Sequence, residues 1–251
     1  LLSEIYSPDW ILLRNDAHPR NLEGLPIEKK ALRGVVPELV EIKDDIKKYI
    51  VNIWNGHKTG IYLDQWENKS VVAKYATGRV LDGFCYQGLF SLACSSDARE
   101  IVAIDSSEDA LNVLRKNIEL NCLKNVLPFK ANVFDYLKEQ VGREPSELFD
   151  LIILDPPPFA RKRGATEGAI RGYLDLCSRA FRLLSPGGVL VVFSCSYHIS
   201  PSDLERTIAI SAAKSGRRVW ILERLGQPAD HPILVTVPET SYLKGLVLRV
   251  E

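Results

Sequence analysis

Val80–Asp105 reads VLDGFCYQGLFSLACSSDAREIVAID, and this stretch decides the fold. Val80 and Leu81 open a buried strand, and Gly83 to Gly88 form a glycine-bearing turn. Leu89, Phe90, Leu92 and Ala93 recur at helical spacing, and Ile101, Val102 and Ile104 form a second strand closed by Asp105. The pattern predicts a βαβ unit. In the parallel sheet that such a unit builds, the acid ending the second strand lies beside the first turn, so one nucleoside-sized ligand touches both.

A dinucleotide pyrophosphate requires the close-set glycines of G-x-G-x-x-G at a helix start. Here Gly83 and Gly88 are five apart with Phe84, Cys85 and Tyr86 between them, a loop suited to an uncharged, partly apolar ligand segment. Asp82 can take a ligand ammonium and Asp105 a ribose diol. Together they describe S-adenosylmethionine (SAM), which carries a cationic amino acid, a sulfonium, a ribose and an adenine but no phosphate. The alternative is an α/β core whose acids only cap helices.

The 251 residues suffice for one large α/β domain or a smaller one with an appendage. With 32 basic and 32 acidic residues, the chain does not grip nucleic acid by bulk charge, although a local basic patch is compatible with this balance. Five cysteines (Cys85, Cys94, Cys122, Cys177, Cys195) lack C-x-x-C spacing, so neither a disulfide framework nor a metal site is expected. A reduced, cytoplasmic compartment fits. No apolar run has the length of a bilayer span, and the N-terminus lacks a secretory pattern, so no membrane association is expected. The chain begins at Leu1 and contains no methionine, which predicts a natural start upstream.

Residues 1–69 differ in texture from residues 70–251. Trp10–Leu13 and Glu38–Ile42 read as short extended segments, Lys47–Trp54 pairs with the latter across Asp44-Asp45, and Ile61–Leu63 follows the Asn55-Gly56 turn. This predicts a small β-rich lobe, either a cover for one sheet edge or a substrate platform. Asn68–Ala76 reads as a helix. After Asp105 come a helix capped by Ser106 or Ser107, a strand at Val126–Ala131, a helix at Asn132–Val141 and a strand at Leu148–Leu154. Then follow a helix at Arg171–Leu184, a turn at Ser185–Gly188, a strand at Val189–Phe193, a helix at Ser200–Ser215, and strands at Val219–Leu225 and Tyr242–Val250. Seven strands alternating mostly with helices predict a doubly wound, Rossmann-like α/β sheet. The last two strands have no helix between them, so the final strand is expected to be antiparallel.

Ligands of such a sheet bind beyond the carboxyl ends of its strands. The candidates there are Asp82–Gly88, Asp105 with Ser106, Asn132, Asp155–Phe159 and Ser194–His198. Asn132 can meet an adenine edge or cap the helix after it, and the two roles are compatible. Pro156, Pro157 and Pro158 stiffen the chain after Asp155, whose carboxylate can accept from a base while Phe159 stacks on a flat ring. Alternatively this is a rigid turn with Phe159 in the core. Cys195 can be an inert buried thiol or a nucleophile, and its place at a strand end opposite Asp155 favours the second.

D-G-F-C-Y-Q-G at 82–88, I-D-S-S at 104–107, L-D-P-P-P-F-A at 154–160, P-G-G at 186–188 and S-C-S-Y-H at 194–198 resemble the ribosomal RNA large-subunit 5-methylcytosine methyltransferases of the methyltransferase I type. So do R-N-D-A-H-P-R-N-L-E-G-L-P at 14–26, G-H-K-T-G-I-Y-L-D-Q at 56–65, A-D-H-P at 229–232 and E-T-S-Y-L-K-G-L at 239–246. The resemblance implies a class I SAM-methyltransferase fold, with Asp82, Gly83, Phe84, Tyr86 and Gly88 around the methionine part, Asp105 and Ser106 at the ribose, Asn132 near adenine, and Asp155 at the junction of donor and acceptor. It implies Cys195 as nucleophile toward cytosine C6, and Asp155 as the group that orients the base. Pro156, Phe159, Arg161, Lys162 and Arg163 would then contact the RNA, and S-adenosyl-L-homocysteine (SAH) would be the product. Residues 1–69 correspond to the lobe that follows an RNA-binding PUA domain in that family, and the PUA domain is absent here. A homodimer is left open. Trp66, Lys69, His57 and Pro158 stand where the family usually has arginine, arginine, glutamine and lysine. Two other functions compete: methylation of an exocyclic amine or a small molecule with Cys195 idle, and a non-catalytic RNA-binding scaffold.

Overall fold

The computed structural model describes residues 2–17, 19–143, 147–159 and 166–251. In the N-terminal lobe, α1 (Leu2–Tyr6) precedes the antiparallel pair β1 (Ile11–Asn15) and β2 (Glu28–Arg33), with α2 (Pro19–Leu22) between the strands. A second hairpin joins β3 (Leu39–Lys43) to β4 (Lys48–Asn52) through the expected Asp44-Asp45 turn. Asp44 Oδ1 closes that turn by accepting from the N–H groups of Ile46 and Lys47 at 2.8 and 2.6 Å. The sequence reading had no strand at β2, because five of its six residues are exposed and leave no apolar alternation. Ile61–Leu63 is not extended either. It leads into a 3-10 turn, Leu63–Gln65, that runs straight into α3 (Trp66–Ala73).

The main sheet follows from β5 (Arg79–Gly83) through α4 (Leu89–Cys94), β6 (Glu100–Asp105), α5 (Glu108–Leu120), β7 (Val126–Lys130), α6 (Val133–Gly142) and β8 (Phe149–Leu154). The chain continues with α7 (Thr166–Leu183), β9 (Leu184–Ser194), α8 (Pro201–Lys214), β10 (Val219–Leu225) and β11 (Lys244–Val250). Among the described residues these strands form one seven-stranded sheet in the order β10-β11-β9-β8-β5-β6-β7. β11 runs antiparallel to both β9 and β10, as the missing crossover helix predicts.

Alternation along the central strands sorts the core into two layers. Leu81, Ile104, Ile152, Leu154, Leu190 and Val192 face α6, α7 and α8, whereas Val80, Ile101, Leu151, Ile153 and Val191 face α3, α4 and α5. α8 starts with a capping box in which the Ser200 hydroxyl accepts from Asp203 N and the Asp203 carboxylate accepts from Ser200 N. α7 begins five residues before the expected Arg171, because Ala169 and Ile170 continue its apolar face against the first layer. The expected turn at 185–188 lies inside β9 as an irregularity, where the register passes from Phe149–Leu184 to Leu151–Val189.

The strand order reverses between β5 and β8, so their carboxyl ends open a crevice. The lobe closes over it. Asn117 of α5 and Asn121 just after it present their carboxamides to β4 like a neighbouring strand: Asn117 Oδ1 accepts from Ile50 N, and Asn121 both accepts from Lys48 N and donates to Lys48 O. Tyr49 and Val51 then bury into the second core layer.

Candidate active site

The turn after β5 owes its shape to three left-handed backbones, at Phe84 (φ +66°), Tyr86 (φ +49°) and Gly88 (φ +87°). Two of these are not glycine, and such conformations persist only where surrounding bonds over-determine them. Cys85 N donates to Ile104 O at 2.9 Å and Gly88 N to Cys85 O at 2.8 Å. Tyr86 N donates to Asp105 Oδ2 at 2.9 Å, while Ser107 N donates to Asp105 Oδ1 at 2.8 Å. The acid at the end of β6 is thereby locked beside the turn. A Cβ at Gly83 would press on Leu154 and Val133 at 3.0 and 3.2 Å, so the glycine lets β5 and β8 carry the turn close to α6.

The lobe adds an aromatic wall. His57 stacks on Tyr86 at 5.1 Å, the His57 backbone N–H donates to Tyr86 OH at 2.8 Å, and Tyr62 meets Tyr86 edge-on at 5.3 Å. Lys58, also in a left-handed conformation, places its ammonium 4.8 Å over the Tyr62 ring and pairs with Asp64. Tyr242 OH donates to the same Asp64 oxygen at 2.9 Å. The other Asp64 oxygen, Oδ1, is buried without a partner, and so is Gln87 Oε1.

These groups surround a cavity of about 750 Å³. One end is formed by Phe84–Gln87, Asp105, Ser106 and Ser107, and the other by Asp155, Pro156, Cys195 and the lobe residues Lys58, Tyr62, Asp64 and Gln65. Gln65 Nε2 donates to Asp155 Oδ2 at 3.0 Å. Burial pushes the Asp155 carboxyl up to about 7, against the hydrogen bond from Gln65, and the charges of Asp64 and Asp82 add to the rise. Burial, then the Asp155 charge, pushes the Cys195 thiol up to about 11, which Lys58 partly offsets. Cys85 and Cys177 are fully buried thiols pushed upward by the same desolvation.

Five sequence candidates stand apart from the cavity wall. Asp82 is 1% exposed, accepts from Ser91 Oγ at 2.5 Å and lies behind the turn; burial raises its carboxyl to about 6. Gly83 is held between β5 and its neighbours. Asn132 Oδ1 caps α6 by accepting from Phe134 N at 2.9 Å. Phe159 packs against Tyr173 at 5.0 Å, Phe134 at 5.7 Å and the first core layer. Gly88 starts α4 and backs onto Leu114. Arg161, Lys162 and Arg163 lie outside the described residues.

The pattern reading of single residues passed over Lys58, Tyr62, Asp64, Gln65 and Tyr242. Their signal was present in G-H-K-T-G-I-Y-L-D-Q and E-T-S-Y-L-K-G-L, segments without strand or helix periodicity. Lys69 proves to be internal and Trp66 half-buried: Lys69 is 5% exposed, pairs with Asp44 and lies 4.2 Å over the Trp66 ring.

A family model described as S-adenosylmethionine-dependent methyltransferase matches residues 28–249. The chain belongs to that family. SAM is therefore its methyl donor, and the cavity fits it: acids and buried carbonyl-type acceptors suit the cationic methionine part, while Asp105, Ser106 and Ser107 suit a ribose. Proteins named ribosomal RNA large subunit methyltransferase I from Aeromonas salmonicida and Aeromonas hydrophila are each 44% identical to 99% of this chain. The chain spans 63% and 64% of their lengths. A solved structure described as a methyltransferase complexed with SAH is 24% identical, with a TM-score of 0.77 over 88% of this chain and 58% of that one, and it supports the fold. Among the described residues no helix is long and apolar enough to cross a membrane, and no cluster of side chains could hold a metal ion.

Proposed function

We propose that this methyltransferase acts on C5 of a cytosine in large-subunit ribosomal RNA, through a covalent bond between Cys195 and C6. The observation that carries the reading is the shared cavity: Asp155 and Cys195 line it together with the donor turn and Asp105, and the Asp155 charge reaches the Cys195 thiol. The names of the Aeromonas relatives support the RNA acceptor. In this reading residues 1–69 form the substrate lobe and 70–251 the catalytic domain. Asp82, Gly83, Phe84, Tyr86 and Gly88 shape the methionine end, Asp105 and Ser106 hold the ribose, and Asn132 keeps its Nδ2 for adenine while its Oδ1 caps α6. Pro156, Arg161, Lys162 and Arg163 belong to the RNA side, while Phe159 supports them from the aromatic cluster with Phe134 and Tyr173.

C5 of cytosine is a poor nucleophile until a thiolate adds to C6. Between about pH 7 and about pH 11 the Cys195–Asp155 pair holds one proton, because the carboxyl ionises at about 7 and the thiol at about 11. Moving that proton from Sγ to Asp155 creates the thiolate and an acid together. The thiolate forms the Sγ–C6 bond, the carboxylic acid protonates N3, and the ring electron pair shifts to C5. Bound SAM supplies an electrophilic methyl group on its sulfonium. Once C5 carries the methyl, loss of the C5 proton to a base and of the Sγ–C6 bond restores the aromatic ring, with the N3 proton returned to Asp155. Lys58 stabilises the thiolate, since its ammonium opposes the rise of the Cys195 thiol.

The test is methyl transfer from labelled SAM to unmethylated ribosomal RNA by the chain and by Cys195→Ala, followed by nucleoside analysis. Label in 5-methylcytosine that disappears in the variant is the expected result. Label in another nucleoside, or transfer indifferent to Cys195, refutes the reading.

A further inference from the structure

Asp155 does not stand alone in the crevice. Asn68 Nδ2 donates to the Gly226 carbonyl at 3.0 Å and to Gln65 Oε1 at 2.6 Å, and Gln65 Nε2 then donates to Asp155 Oδ2. Both amides are buried, Gln65 at 2% exposure and Asn68 at 5%. A backbone carbonyl only accepts, so the Gly226 contact fixes which end of Asn68 is the donor. That in turn fixes Gln65 with its oxygen toward Asn68 and its NH₂ toward Asp155. The relay enters from the segment joining the lobe to the sheet.

We propose that Gln65, held by Asn68, is a positioning residue that clamps Oδ2 of Asp155 and reserves Oδ1 for the acceptor base. The inference rests on the cytosine reading above. A carboxylic oxygen facing an N–H donor cannot also carry a proton along that line, so the proton Asp155 takes from Cys195 resides on Oδ1. The acid is thereby aimed at the base, not at the protein. Without the clamp the carboxyl can rotate and hand its proton to either oxygen, which lowers the fraction of productive encounters. The clamp also favours the ionised form of Asp155. The other groups facing it are Asp82 on β5, Lys58, Tyr62 and Asp64 on the lobe segment, Tyr173 on α7 and Cys195 after β9.

The experiment compares pH profiles of methyl transfer for the wild-type chain, Gln65→Leu and Gln65→Glu, with SAM affinity measured by calorimetry. The wild-type acid limb is expected near pH 7, where Asp155 gains its second-state proton and the pair becomes doubly protonated. Gln65→Leu removes the donated bond, so the limb moves upward by about one pH unit and the plateau rate falls roughly tenfold or more. Gln65→Glu keeps the shape but replaces the donor with a carboxyl, so it moves the limb upward at least as far. SAM affinity stays within about twofold in both. A wild-type profile in the Glu variant, or losses confined to SAM affinity, overturns the positioning role. Trapping of a wild-type Cys195 adduct on 5-fluorocytosine RNA tests the underlying reading separately. An adduct with unmoved limbs sinks this inference alone, whereas no adduct and another methylated atom sink both.

Discussion

The Cys195 thiol offers the most quantitative check, through Asp155→Asn and thiol titration. A thiol ionising at about 11 is roughly 0.1% thiolate at pH 8, whereas an ordinary one with a pKa of about 8.5 is roughly a quarter ionised. The population difference is roughly two hundredfold. Because nucleophilicity rises with thiol pKa with a slope of about 0.4–0.5, each Cys195 thiolate is roughly tenfold more reactive, leaving a net deficit of roughly twentyfold toward a small disulfide reagent. Modification at Cys195, followed by peptide mass spectrometry, is therefore expected to be slow at pH 8 and to rise about tenfold per unit until near pH 11. Asp155→Asn removes the negative charge that is the second cause of the shift. If that charge accounts for about one unit, the variant reacts roughly threefold faster at pH 8 while its methyl transfer collapses. A faster thiol in a slower enzyme separates thiolate formation from proton delivery to the base. An unmoved titration midpoint in Asp155→Asn, or a wild-type midpoint near 8.5, refutes the placement of Asp155 against Cys195.

Asp82→Asn is expected to raise stability at neutral pH. The folded carboxyl ionises at about 6 against an ordinary 3.8, so the penalty is absent below about pH 4, grows as pH rises toward 6 and reaches about 3 kcal/mol above it. Urea titrations at pH 4 and 7 measure it, and equal stabilities of wild type and variant at pH 7 contradict it. Gly88→Ala combines a left-handed backbone with a Cβ only 2.3 Å from Leu114 Cδ1, and is expected to cost about 2–4 kcal/mol in the same assay. Lys69→Met strips the half-buried Asp44 carboxylate of its cation, although Asp44 keeps the Ile46, Lys47 and Tyr49 donors. A loss of about 2–3 kcal/mol is expected, and Asp44→Asn in the same chain should recover part of it.

The architecture was legible because α/β folding writes itself locally. Strands buried on both faces read as apolar runs, helices as 3.6-residue periods, and strand-end acids such as Asp82, Asp105 and Asp155 follow directly from those runs. The missing helix before β11 even gave its direction. Irregular segments carry no such signal. β2 is too exposed to alternate, and the chain from Gly56 to Gln65 packs through turns, so its side chains gave no hint of where they would point.

What the sequence by itself determined is the order of the elements, the SAM-type turn DGFCYQG, and the presence of Asp155 and Cys195 at neighbouring strand ends. The fold alone decided the rest. Gln65 meets Asp155 across 90 residues and Tyr242 meets Asp64 across 178, contacts that exist only once the lobe closes on the sheet. Packing of α6 and α7 on the sheet turned Phe159 into the aromatic cluster with Phe134 and Tyr173, and the neighbouring ends of β8 and β9 brought the Asp155 charge onto Cys195. The physical reason is range: periodicity and turn chemistry act over a few residues, whereas desolvation and hydrogen-bond partnership depend on everything that packs around a group.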